Sequence, residues 1–175
     1  TKGKDDGHSE RLVQNELSSL KELTNIVRSA TTAMTSVPKP FKFLKTHYAA
    51  FVEHFKTFPI HMKNIYFLIQ LAYADFLSVL SMIFGAKGAR SSLYYLLQGT
   101  KSDFTNWGHE YVSNLASDIG NSTIRLENNE PYDELLGLVD QIVPYFVANN
   151  AEHDAIDLLL IVDKLEDIKP FVSFQ

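Results

Sequence analysis

The chain has 175 residues, 45% of them hydrophobic and 21% charged, with no cysteine and a net charge of −5. That length and balance suit one folded domain with a substantial core and exclude a disordered chain. The lack of cysteine excludes disulfide frameworks, thiolate zinc sites and cysteine nucleophiles, and it leans toward a reducing compartment.

Residues 1–8 read as a flexible N-terminal segment without the apolar stretch of a signal peptide. A single helical domain is expected over residues 9–170, with 171–175 beginning a following segment. The first helix is expected from Ser9, as N-cap, to about Thr35, because Leu12/Val13, Leu17, Leu20, Ile26/Val27, Ala30 and Met34 recur at helical spacing. Pro38-Lys39-Pro40 follows. It is too short for a convincing polyproline ligand, and Pro40 suits the first residue of a second helix, from Pro40 to about Phe58. Thr35, Ser36, Pro38 and Pro40 are therefore read as a structural elbow, with hydroxyls satisfying loose backbone groups at the corner. Lys39, Lys42, Lys45, Lys56 and Lys63, interleaved with His47, His54 and His61, make this half basic, with +4 over residues 1–88 against −9 over residues 89–175. No arginine falls between Lys39 and Lys63, and nucleic acid is not an expected partner.

Ile65–Phe84 is long and apolar enough to cross a bilayer. Gln70, Asp75, Ser78 and Ser81 spread polar groups through it, so a central buried helix is favoured over a membrane span, with Asp75 near the surface or paired. Ser91–Gln98 forms a short helix. Ser102–Ile119 is expected as one helix capped by Ser102, a loop runs from Gly120 to Glu130, and a helix over Pro131–Val147 should be kinked or interrupted at Pro144. Asn149 and Glu152 have the spacing of a capping box for a last helix, closed by Pro170. Trp107, Tyr111 and Tyr145 are read as core anchors. The fold class is all-α: antiparallel helical hairpins stacked as an α-solenoid-like array.

Catalytic chemistry finds little to rest on. His109-Glu110 opens like a zinc-protease helix, but the second histidine is replaced by Ser113. Glu152, His153, Asp154 and Asp157 are better explained by the helix dipole and capping than by a metal. No phosphate loop or nucleophile elbow is present, and the sequon at Asn121 is of a kind expected by chance. No catalytic, cofactor-binding or metal-binding residue is assigned.

Three stretches together carry a resemblance: "SATTAMTSVPKPFKFLKTHY" (29–48), "WGHEYVSNLA" (107–116) and "IVPYFVANNAEHDAIDLL" (142–159). The chain resembles the N-terminal region of the large non-ATPase scaffold subunits in the base of the 26S proteasome regulatory particle, the family of regulatory particle non-ATPase subunit 1 (non-ATPase regulatory subunit 2 in animals). The resemblance implies a non-enzymatic protein of cytoplasm and nucleus, assembled with proteasomal ATPase subunits and other regulatory particle subunits. It also implies docking of ubiquitin, shuttle factors and a deubiquitinase, through a later repeat toroid to which no residue of this chain corresponds. Residues 55–84, more apolar than the family pattern, and the loop 120–134 depart from it. The alternative reading is a free-standing helical adaptor that binds a peptide or partner helix in an apolar groove.

Overall fold

A computed structural model describes residues 3–32, 39–58, 65–86, 88–124 and 132–171. Every regular element among them is helical: α1 (Gly3–Thr32), α2 (Lys39–Lys56), α3 (Ile65–Phe84), α4 (Ser91–Gln98), α5 (His109–Ile124), α6 (Tyr132–Ala148) and α7 (Glu152–Ile161), with 3₁₀ segments at Phe104–Trp107 and Leu165–Phe171. The protein is thus all-α, as the helical periodicity indicates. The helices group into two compact units, Thr1–Ser102 and Asp103–Gln175.

In the first unit α3 is the hub, packed by α1, α2 and α4. Its apolar run is explained by burial on several sides: Ile69, Ala74, Phe76, Leu77, Val79 and Leu80 are all at most 1% exposed. Each large apolar side chain so buried contributes about 1.5–3 kcal/mol. α1 offers the stripe Val13, Leu17, Leu20 and Val27 to this core, and α2 offers Phe41, Leu44 and Phe55. By length and composition Tyr66–Phe84 could cross a membrane, yet half of it is buried inside the protein. The serines inside it are ties between helices. Ser78 donates its hydroxyl to the Ser92 carbonyl at 2.6 Å, and Ser81 Oγ shares a hydrogen bond of 2.9 Å with the Tyr48 hydroxyl. Polar groups that are costly in lipid are here satisfied by neighbouring helices.

The second unit packs α5, α6 and α7 with both 3₁₀ segments. Its core is built from Trp107, Tyr111, Leu115 and Ile119, from Leu138, Ile142 and Phe146 on α6, and from Ala155, Leu158 and Leu159 on α7.

Several boundaries differ from those expected. α1 begins at Gly3, not Ser9. The helix expected over Ser102–Ile119 is two elements, a 3₁₀ turn and α5, separated by Gly108 at φ 102°, a conformation that side chains disfavour. Gly120 does not end α5, which continues to Ile124. It is a point of close packing instead: a Cβ there would lie 3.2 Å from Ile161 Cδ1 on α7. α6 runs through Pro144 without interruption. α7 ends at Ile161, well before Pro170, which lies inside the second 3₁₀ segment. The stop is Asp163 at φ 57°, with Lys164 N–H bonded to the Leu159 carbonyl at 2.8 Å and Asp163 N–H to that of Leu160. This is a left-handed helix terminus of Schellman type.

Candidate functional site

The capping box expected at Asn149 and Glu152 is not formed. The N-cap of α7 is Ala151, which makes no side-chain cap bond. The asparagines belong to the preceding helix: Asn150 is left-handed at φ 56°, Ala151 N–H bonds the Phe146 carbonyl at 2.9 Å and Asn150 N–H that of Val147. Asn149 donates its side-chain amide to the Tyr145 carbonyl. The local signal was real, but it marks the end of α6 rather than the start of α7. Thr35, Ser36 and Pro38 of the elbow lie outside the described residues, while Pro40 falls in the first turn of α2.

Trp107 and Tyr111 are buried, with ring centroids 5.7 Å apart. Tyr145 is half-buried, stacked 6.4 Å from His109 and outside the set of buried core side chains. His109 also lies 5.9 Å from the Phe146 ring and 3.4 Å from the Ser113 hydroxyl. Its ring packs against two aromatic side chains of α6. Among the described residues no three His, Cys, Asp or Glu side chains converge as a metal site. Burial pushes the Tyr73 and Tyr95 phenols up to about 12, with Glu16 adding to the first and Tyr48, Tyr94 and Glu53 to the second. Both stay protonated at neutral pH and act as packing groups.

The one carboxyl group on the hub helix α3 is Asp75. Its Oδ1 accepts the Thr100 N–H at 3.0 Å and its Oδ2 the Thr100 hydroxyl at 2.7 Å. Ser102 in turn donates its hydroxyl to Thr100 Oγ at 2.9 Å. The carboxylate thereby fastens the chain just beyond α4 to the central helix. Nothing in the sequence near Asp75 reveals this partner, which lies 25 residues downstream. Burial raises the Asp75 carboxyl above its ordinary 3.8, and the two Thr100 bonds only partly offset it. The folded state therefore holds this proton more tightly than the unfolded chain. The group's stabilising contribution is full below the unfolded value near 3.8 and is lost as pH rises through the higher folded value. Asp75→Asn removes that dependence. Relative to the parent, its melting temperature should be more favourable at pH 7 than at pH 3, as checked by paired thermal melts; an offset independent of pH would contradict the shift.

The second unit exposes several large apolar side chains. Leu160, Ile161, Leu165 and Phe171 are 40–54% exposed. One groove, of about 230 Å³, lies between α6, α7 and the second 3₁₀ segment, with Val143, Leu159 and Phe171 as apolar walls and Asp140 and Asp167 at its sides. Another, of about 180 Å³, lies between α5 and α7 and includes Phe146, Ile161, Asp154 and Asp157. The sequence reading missed both, because each is assembled from residues on different elements.

Together these features define a class: an all-α protein whose second unit carries two apolar grooves edged by acidic residues. The model of the RPN1 N-terminal domain family matches residues 6–175, and this chain belongs to that family. It is 43% identical over 159 residues to the 26S proteasome regulatory subunit rpn1 of Schizosaccharomyces pombe, covering 90% of this chain and 17% of that protein. It is 42% identical over 148 residues to the 26S proteasome non-ATPase regulatory subunit 2 homolog B of Arabidopsis thaliana (84% and 16%). With the 26S proteasome non-ATPase regulatory subunit 2 of Dictyostelium discoideum it shares 41% over 158 residues (90% and 17%). The chain spans less than a fifth of the length of these curated relatives.

Proposed function

We propose that this chain is a non-catalytic scaffold and interaction region of the 26S proteasome regulatory particle base. It supports ubiquitin-dependent protein degradation by assembling with the ATPase ring and neighbouring regulatory subunits, in cytoplasm and nucleus. Ubiquitin, shuttle factors and a deubiquitinase are bound by other parts of the longer protein. The observation that carries this reading is identity of 41–43%, spread over 84–90% of the chain, to regulatory subunits of a yeast, a plant and an amoeba. Identity of that extent supports a role in the same assembly. The apolar grooves of the second unit favour one alternative, a free-standing adaptor that takes a peptide or partner helix. Co-purification of proteasomal ATPase subunits with the tagged chain separates the two readings, since an adaptor has no reason to retain them.

A further inference from the structure

Residues 103–175 hold fourteen Asp/Glu against three Lys/Arg, a net charge of −11 in 73 residues. The described cations among them, Lys164 and Lys169, are already paired, Lys164 with Asp167 at 3.7 Å and Lys169 with Glu166. The groove between α6, α7 and the 3₁₀ segment Leu165–Phe171 opens onto this surface. Its walls are the apolar Val143, Pro144, Leu159 and Phe171, and Asp140 and Asp167 stand beside them. Asp140 forms no ion pair among the described residues. Pro144 adds a second polar feature. It has no N–H to give the Asp140 carbonyl one turn back, so an acceptor on the groove's side of α6 lacks its usual helix donor.

We propose that this groove docks a cationic amphipathic segment of another protein. An aliphatic side chain of the segment enters between Val143, Leu159 and Phe171, while flanking Lys or Arg side chains meet Asp140 and compete with Lys164 for Asp167. Three arguments select this occupant. The volume, about 230 Å³, falls below the roughly 300–1,000 Å³ usual for small-molecule sites and suits side-chain anchors. The uncompensated negative field attracts cations and repels acidic partners. The carbonyl and the two carboxylates are all acceptors, which a Lys or Arg supplies with donors. The inference adds a partner chemistry to the scaffold reading without depending on which complex the chain enters.

The test is fluorescence anisotropy of the folded chain with a labelled helical peptide made of leucine and lysine, its lysines on one face. Controls are its glutamate-for-lysine counterpart and a scrambled peptide of the same composition. The leucine–lysine helix should bind, more weakly at high salt, and the glutamate version should not. Asp140→Asn with Asp167→Asn should weaken binding roughly five- to tenfold, as two rim ion pairs allow. Phe171→Ala should weaken it as well. Glu110→Gln with Asp133→Asn, the same charge change away from the groove, should alter it less than about twofold. Thermal melts of each variant confirm that it is folded. Equal weakening by both charge pairs, equal binding of the scrambled peptide, or no binding would overturn the proposal. None of these outcomes bears on co-purification with proteasomal ATPases, so the two readings fail separately.

Discussion

Phe76→Ala is expected to destabilise the first unit by about 3–5 kcal/mol, the range found when a buried aromatic is truncated in a core. Phe76 lies on α3 with no exposed surface. Its ring meets Phe51 of α2 edge-on at a centroid distance of 5.4 Å and Tyr73 at 6.3 Å. Truncation removes the transfer free energy of the ring and opens a cavity at the point where α2 meets α3. The neighbours on the hub helix, Leu77 and Leu80, are themselves fully buried and cannot swing in to fill it. Phe43→Ala on α2 is the matched control, because Phe43 is 67% exposed and should cost no more than about 0.5 kcal/mol. Urea denaturation followed by circular dichroism reads both. Equal losses would mean that α3 is not the core helix.

Gly99→Ala should cost about 2–4 kcal/mol, although the backbone at Gly99, φ −91° and ψ −163°, is open to any residue. The obstacle is Asp75. A Cβ at position 99 would stand 2.0 Å from its Oδ1 and 3.0 Å from its Cγ. Rotating the carboxylate does not relieve a clash that includes Cγ, so the side chain must leave and forfeit both bonds to Thr100. Hydrogen bonds to a charged group are worth about 1.5–3 kcal/mol each, and a half-buried carboxylate stripped of them keeps its desolvation cost. Gly137→Ala makes the contrast. Nothing lies within 4 Å of its would-be Cβ on α6, so alanine should stabilise by up to about 1 kcal/mol through helix propensity. Two identical substitutions of opposite sign, measured by thermal melts, check the close approach at Gly99. A harmless Gly99→Ala would show that Asp75 does not hold this junction.

The helical class was legible because it depends on periodicity within single segments: the bounds of α3 and α4 follow from spacing and flanking breakers, and Val13, Leu17, Leu20 and Val27 of the periodic set on α1 are buried, whereas Leu12 and Ile26 of that set are exposed. The hub role of α3 was also readable, since twenty consecutive residues with so few polar groups must be covered on most sides. Misreadings clustered at helix ends, where one signal serves two structures. Asn149 and Asn150 look like a cap for α7 and in fact terminate α6 through a left-handed residue. Gly120 looks like a stop and is a contact with Ile161. Gly108 lay inside an apparently continuous helix, because the pattern Phe104, Trp107, Tyr111 fits both one helix and two elements that bury the same side. The Asp75–Thr100 tie and the groove beside Asp140 and Asp167 were out of reach, since each joins residues that only tertiary packing brings together. The family likeness, by contrast, rested on three short stretches, and the similarity extends over residues 6–175.

The proposed role of this chain is that of a scaffold within the proteasome regulatory particle. Its most direct measurement is affinity purification of the tagged, folded chain from native extract, with quantitative immunoblotting for the proteasomal ATPase subunits. Their enrichment over a helical control protein of matched charge is the expected result. A folded bait that retains no ATPase subunit above that control would contradict it.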